Sequence, residues 1–136
     1  MKTILVDAVY GFILVIPNDR TGKDEYSVHK DMYNLLEMYP NKKIILTGAD
    51  DEQYKKFGLD EMPYEVFTLK HNPEKTDPKY YEIMLKNFGL NKDGVIYFEH
   101  NIDAVKSAQS VGINTYFYDD NKKDLESLKK FLDKNL

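Results

Sequence analysis

The sequence predicts a three-layer αβα sandwich built on an open, mostly parallel, five-stranded doubly wound sheet, with a short flap after the first strand. Three observations predict it. Five short apolar runs rich in β-branched and aromatic residues recur along the 136 residues, and stretches with helical spacing separate them. Three of those stretches close on the same apolar–Gly–apolar punctuation. Strands that alternate with helices need crossover connections, and crossovers leave a parallel sheet covered on both faces.

Thr3–Val6 is the first of the buried strands, a continuous apolar run with no polar alternation. Gly11–Ile16 is a second apolar run, and Pro17-Asn18-Asp19 then turns the chain. We read Gly11–Arg20 as a flap projecting from the end of the first strand, because a sixth core strand would need a crossover for which there is no room. A helix is expected over Ser27–Tyr39, on the stripe Val28, Met32, Leu35, Leu36 and Tyr39. Lys43–Leu46 is the second core strand, and Phe57-Gly58-Leu59 ends the helical stretch after it, where glycine accepts the left-handed conformation. Glu65–Leu69 is the third strand. Asp77-Pro78 then starts a helix, a capping carboxylate followed by proline at the first helical position, and Phe88-Gly89-Leu90 ends it. Gly94–Phe98 is the fourth strand, Ile102, Val105 and Ala108 mark a helix that stops at Val111-Gly112-Ile113, and Asn114–Tyr118 is the fifth strand. Leu125, Leu128, Phe131 and Leu132 form the stripe of a last helix.

Residues 1–136 read as one domain, with no linker, low-complexity tract or tandem repeat. Without cysteine there are no disulfides, iron–sulfur clusters or thiolate zinc sites. The first residues run straight into a strand that meets Asp7, so no signal peptide or membrane partner is expected, and the expected location is cytoplasmic. A net charge of −4 argues against a nucleic-acid partner, which would need a basic face.

In an open doubly wound sheet, reactive groups gather at the carboxyl ends of strands. Asp7, Thr47-Gly48 and Glu99-His100-Asn101 each follow a predicted strand, and Lys75 lies in the loop before the Asp77-Pro78 helix start. A carboxylate, a hydroxyl, an ammonium and a second acid are the parts of a phosphoryl-transfer site: nucleophile, hydrogen-bond donor, charge stabiliser and metal ligand. Singly, each has an ordinary structural explanation as a cap, a turn residue or a solvated lysine.

Ile4-Leu5-Val6-Asp7, Ile45-Leu46-Thr47-Gly48, Lys75-Thr76-Asp77-Pro78 with Tyr81, and Val95–Glu99 followed by Ala108 and Gly112 resemble motifs one to four of the haloacid dehalogenase-like (HAD) hydrolases. The resemblance covers nearly the whole chain. It implies that Asp7 is the nucleophile of an aspartyl-phosphate, that Thr47 and Gly48 bind phosphoryl oxygens, and that Lys75 neutralises both. It implies magnesium held by Asp7, Glu99 and the backbone carbonyl of Val9.

Departures from the pattern qualify that reading. Val9 stands where the family's phosphatases carry a second aspartate as general acid, and Tyr10 and Gly11 replace the glycine and threonine that usually follow the motif. His100 stands where a second metal-binding acid is usual, so magnesium is expected to be weak or absent, with Asp103 a possible substitute. Residues 8–46 alone separate Asp7 from Thr47, which leaves no room for a cap domain. The resemblance then implies an open site for a phosphorylated small molecule or macromolecule, or one covered by a protein partner or a second copy in a homodimer.

Loss of the second aspartate does not abolish covalent chemistry, because a leaving group stable as an anion needs no proton. The rival reading is an eroded HAD fold that binds a ligand or protein without turnover. Asp7-Ala8-Val9-Tyr10-Gly11 is also similar to the start of the dehalogenases, but the alignment needs an insertion and would make Arg20, the only arginine, bind the substrate. A receiver-like domain would place its acceptor after the third strand, where Leu69-Lys70 stands. Of His29, His71 and His100, only His100 is expected at the rim, bonding a neighbouring loop in preference to a transition metal held with Asp7 and Glu99. Tyr80, Tyr81, Tyr97, Tyr116 and Tyr118 are expected to serve core packing.

Overall fold

The computed structural model describes residues 1–136. Its sheet has five parallel strands in the order β5-β4-β1-β6-β7, where β1 is Thr3–Asp7, β4 is Lys43–Thr47, β5 is Glu65–Thr68, β6 is Val95–Glu99 and β7 is Asn114–Phe117. These strands lie within a residue or two of the expected ones. Asp7, Thr47 and Glu99 are thus the last residues of their strands rather than the first beyond them. From β1 the chain moves outward through β4 to β5, then returns to the other side of β1 for β6 and β7. Strand order therefore reverses at β1, with Val6 paired to Ile45 on one side and to Phe98 on the other. A crevice at the carboxyl end of that strand follows from the topology.

Side chains of β1 alternate between two cores. Ile4 and Val6 pack with Met32 and Leu36 of helix α1 (Lys30–Leu36) and with Leu128 and Leu132 of helix α5 (Leu125–Asn135). Leu5 packs on the opposite face with Tyr80, Tyr81 and Met84 of α3 (Pro78–Phe88) and Ala108 of α4 (Ile102–Ser110). Helix α2 (Asp51–Lys56) begins at a capping box made by Asp50 and Gln53. Asp77 caps α3 as expected, and Gly58, Gly89 and Gly112 take φ values of 72°, 62° and 96° at the three expected helix ends. No helix is long and apolar enough to cross a membrane.

The flap corrects the sequence reading. It is a complete antiparallel hairpin, β2 (Ile13–Asn18) with β3 (Lys23–Val28), in which Ile13 faces Val28 and Asn18 faces Lys23. The expected flap ended at Arg20, and Ser27 and Val28 were expected in a helix. That helix begins only at Lys30, capped by His29, and stops at Leu36, short of Tyr39. Glu25-Tyr26-Ser27-Val28 is a β-favouring run that completes the hydrogen bonds of Ile13–Ile16, and a paired strand outcompetes a helix turn that would leave β2 unpartnered. Val28 matched the helical stripe by spacing alone.

Leu5 is fully buried in the central strand, so Leu5→Ala should cost about 2–5 kcal/mol of unfolding free energy, read as a shift of the urea midpoint. A loss under about 1 kcal/mol, below the range for buried leucines, would contradict this placement.

Candidate active site

The crevice at the end of β1 is a cleft of about 300 Å³. Asp7, Thr47, Lys75 and Glu99 all line it, as do Val9, Gly48 and His100. Its floor holds two carboxylates side by side, Asp7 at 1% exposure and Glu99 fully buried, because both end strands that pair with or continue β1. Charges so placed need partners within the protein. Lys75 Nζ lies 2.8 Å from Asp7 Oδ1 and 2.5 Å from Glu99 Oε1. His100 Nδ1 lies 2.5 Å from Asp7 Oδ2 and 3.0 Å from Glu99 Oε2, and the His100 backbone N–H donates to Asp7 Oδ2 at 3.1 Å. The Tyr97 hydroxyl donates to Glu99 Oε1 at 2.5 Å and the Asn101 N–H to Oε2 at 2.9 Å. Two acids and two bases thus form one closed quartet.

Thr47, the last residue of β4, lines the same cleft; its Oγ1 accepts from the Ala49 N–H at 3.2 Å and donates to no protein group. The turn after Asp7 is built without the usual glycine and threonine. Tyr10 takes a left-handed φ of 70°, and Gly11 packs so tightly that a Cβ there would lie 2.6 Å from the Asp7 carbonyl oxygen. Phe12 N–H closes the turn onto that same oxygen at 2.9 Å. The Tyr10 ring ends up 5.3 Å from the His100 ring.

Three tyrosines do more than fill the core. Tyr80, Tyr81 and Tyr97 are fully buried as expected, and each hydroxyl also fixes one site residue. Tyr80 donates to the Thr47 carbonyl at 2.7 Å, Tyr81 to the Lys75 carbonyl at 2.8 Å, and Tyr97 to the Glu99 carboxylate. The available signal was tyrosine, rather than phenylalanine, at buried positions beneath the strand ends, since a buried hydroxyl must find a partner.

Two further expectations are corrected. His71 also belongs to the cleft, with Nε2 2.5 Å from Gln53 Oε1 and Nδ1 2.9 Å from Glu74 Oε1. Left-handed φ values at Lys70 and His71, 52° and 65°, turn the chain after β5 back over the rim, a bend that sequence spacing does not announce. Asp103 does not reach the site. It is exposed in the first turn of α4, where Asn101 takes up its N–H in a cap. His29 caps α1 through a hydrogen bond from the Met32 N–H to its ring.

Burial pulls the His100 imidazole down, but hydrogen bonds to Asp7 and Glu99 outweigh it and push the group up to about 10. Burial likewise opposes the Lys75 ammonium, which the charges of Asp7 and Glu99 hold well above its usual range. Burial raises Glu99, and Lys75 followed by the hydrogen bonds from His100, Lys75 and Tyr97 takes it well below the carboxylate range. Asp7 is pushed up by burial and by the Glu99 charge, against the pull of Lys75 and His100. Asp7 also accepts from the Lys75 ammonium through Oδ1 and from the His100 backbone N–H through Oδ2, contacts that favour its charged form.

The ligand atoms of Asp7, Glu99 and His100 lie within 4.8 Å of one another, close enough to surround an ion. Magnesium, however, asks for oxygens in octahedral array. Each oxygen of the two carboxylates is already paired with a nitrogen or hydroxyl donor, and the place between Asp7 Oδ2 and Glu99 Oε2 is taken by an imidazole nitrogen. The residues present do not fit magnesium.

No protein-family model matches the chain, and no curated protein matches it. Among solved structures it is similar to a HAD family enzyme from Bacteroides thetaiotaomicron, a variant in complex with magnesium and inorganic phosphate. The two share 14% identity over 86% of this chain and 93% of that one, with a TM-score of 0.66. An uncharacterized protein from Listeria monocytogenes serotype 4b shares 17% identity over 85% and 76% of the two chains, at a TM-score of 0.62. A haloacid dehalogenase-like protein of unknown function from Agrobacterium tumefaciens shares 15% identity over 67% and 45%, at a TM-score of 0.55. The chain has the haloacid dehalogenase-like fold, and at these identities the likeness is one of fold.

A group whose folded-state value is raised stabilises the fold below its unfolded value and loses that contribution as pH climbs through the folded one. For His100 this window runs from 6.5 to about 10. The Tm gap between wild type and His100→Asn should therefore be widest below pH 6.5 and shrink towards pH 10, measured by scanning calorimetry. A gap that stays constant over this window would show that the ring is not held as a cation.

Proposed function

We propose that the cleft hydrolyses phosphorylated substrates through an aspartyl-phosphate on Asp7, restricted to substrates whose leaving group departs as a stable anion. One observation carries this reading: Asp7 lines an open cleft with its Oδ1 2.8 Å from the Lys75 ammonium, and Thr47 lines the same cleft. Asp7 Oδ1 attacks phosphorus, the bond from phosphorus to the leaving oxygen breaks, and that oxygen keeps the electron pair as a carboxylate or phenolate. Lys75 offsets the charge of the nucleophile and of the arriving phosphoryl group, and Thr47 donates to a phosphoryl oxygen. Water then attacks phosphorus, restoring the Asp7 carboxylate and releasing inorganic phosphate, with one proton passing to solvent.

Val9 can neither give a proton to the leaving group nor take one from this water. The second step is then the slower one, and the phosphoryl-enzyme accumulates. A HAD family enzyme from Bacteroides thetaiotaomicron with a similar fold is in complex with magnesium and inorganic phosphate, which supports a phosphate-type ligand for this fold. Between β1 and β4 the chain inserts only the hairpin and α1, so the cleft stays open to a macromolecular substrate, or to a partner or second copy acting as a lid. A second reading, a binding module without turnover, has its own observation in its favour: both Asp7 oxygens are engaged by Lys75 and His100.

Acetyl phosphate and an aryl phosphate should give a burst of leaving group stoichiometric with protein, followed by slow turnover, and Asp7→Asn should abolish both phases. Alkyl phosphates should react about 10²–10⁴-fold more slowly, the contribution of an absent general acid. Rapid-mix kinetics with phosphate release as a second readout decide the matter. No burst and no turnover with acetyl phosphate would leave the binding module as the answer.

A further inference from the structure

We infer that His100 takes the place of the metal: its ring bridges Asp7 and Glu99 where a divalent cation would, which makes the cleft a metal-independent anion site. The bridging itself is read from geometry. The anion half of the statement rests on the phosphoryl reading above.

A cation shared by two carboxylates sits against one oxygen of each. His100 Nδ1 does so, at 2.5 Å from Asp7 Oδ2 and 3.0 Å from Glu99 Oε2. Lys75 Nζ does the same on the other pair of oxygens, Asp7 Oδ1 and Glu99 Oε1. Nothing is left over. A metal ion entering here would have to displace the imidazole, and a dication added beside Lys75 and His100 would leave an excess of positive charge in a site that is otherwise balanced and nearly dry.

The ring is also held in that position. The His100 backbone N–H donates to the same Asp7 oxygen that Nδ1 contacts, so backbone and side chain grip one atom and the ring has little freedom to swing away. Tyr10 packs against the ring from the cleft side of the turn. No protein group bonds Nε2, which is the ring atom left to meet an oxygen of a ligand. One imidazole can thereby touch Asp7 through one nitrogen and a phosphoryl oxygen through the other, which is the linking role of a metal ion performed by a side chain.

The test is calorimetric titration of chelator-treated protein with magnesium, manganese and zinc, in wild type, His100→Asp and His100→Ala. Wild type should take up none of the three. His100→Asp, which replaces the imidazole with a third carboxylate, should gain stoichiometric magnesium uptake that wild type lacks. His100→Ala, which only opens the slot, should also gain magnesium. Stoichiometric magnesium uptake by wild type overturns the inference, as does manganese or zinc uptake that is lost in His100→Ala, since the ring would then be a ligand. If neither variant folds, the wild-type titration decides alone. The acetyl phosphate burst in wild type should be unchanged between chelator and excess magnesium, and a burst that appears only with magnesium also overturns the inference. A wild type that takes up no metal and gives no burst under either condition sinks the phosphoryl reading and leaves the metal-replacing ring standing.

Discussion

Asp7 and Glu99 end two neighbouring strands of one parallel sheet, which brings two carboxylates together under almost no solvent. Most of what surrounds them follows from supplying both with hydrogen-bond and charge partners. Lys75 comes from the loop before α3 and His100 from the first residue after β6, so the quartet is assembled from three separate stretches of chain. Removing one partner of such a buried set costs about 3–5 kcal/mol, because the remaining charge has nowhere to go. The geometry of the cleft is for this reason inseparable from its electrostatics: neither cation can leave without strain on the strands that carry the acids.

Much of this was legible in the sequence, and the reasons are local. Parallel strands buried on both faces are continuous apolar runs, and residues such as Asp7 and Glu99 that break those runs stand out at their ends. The Asp77-Pro78 start and the three glycine stops depend on one or two residues each, so spacing exposes them. Less was legible where long-range pairing decides. Tyr26 and Val28 serve a strand as well as a helix, and only Ile13 and Val15, more than ten positions earlier in the chain, settle which. His71 was missed because its approach depends on two left-handed residues that carry no glycine. His100 was placed at the rim, yet the neighbouring loop it was expected to bond turns out to be the pair of acids themselves.

The tyrosine layer shows how the fold and the site share atoms. Tyr80 and Tyr81 are consecutive on α3; their rings contact each other and the Tyr81 ring contacts that of Tyr97, so all three belong to the apolar core beneath the sheet. Their hydroxyls reach upward to Thr47, Lys75 and Glu99. The Tyr80 and Tyr81 rings are thus rigid spacers between α3 and the backbone at Thr47 and Lys75, and the Tyr97 ring links β6 to the Glu99 carboxylate, so the packing that stabilises the domain also sets where the polar groups stand.

His100 and Val9 carry a consequence for how readily this cleft changes its chemistry. Histidine and aspartate codons differ in a single base, as do aspartate codons and those valine codons that end in a pyrimidine. With His100 bridging the two acids, the chain is one base substitution from an all-carboxylate pocket and, where the Val9 codon ends in a pyrimidine, one more from a carboxylate two residues after Asp7. The strands, the lysine and the tyrosine spacers would be untouched by either step. This arrangement therefore lies beside, rather than far from, an all-carboxylate one in the space that point mutation explores, and traffic in either direction needs no rebuilding of the scaffold.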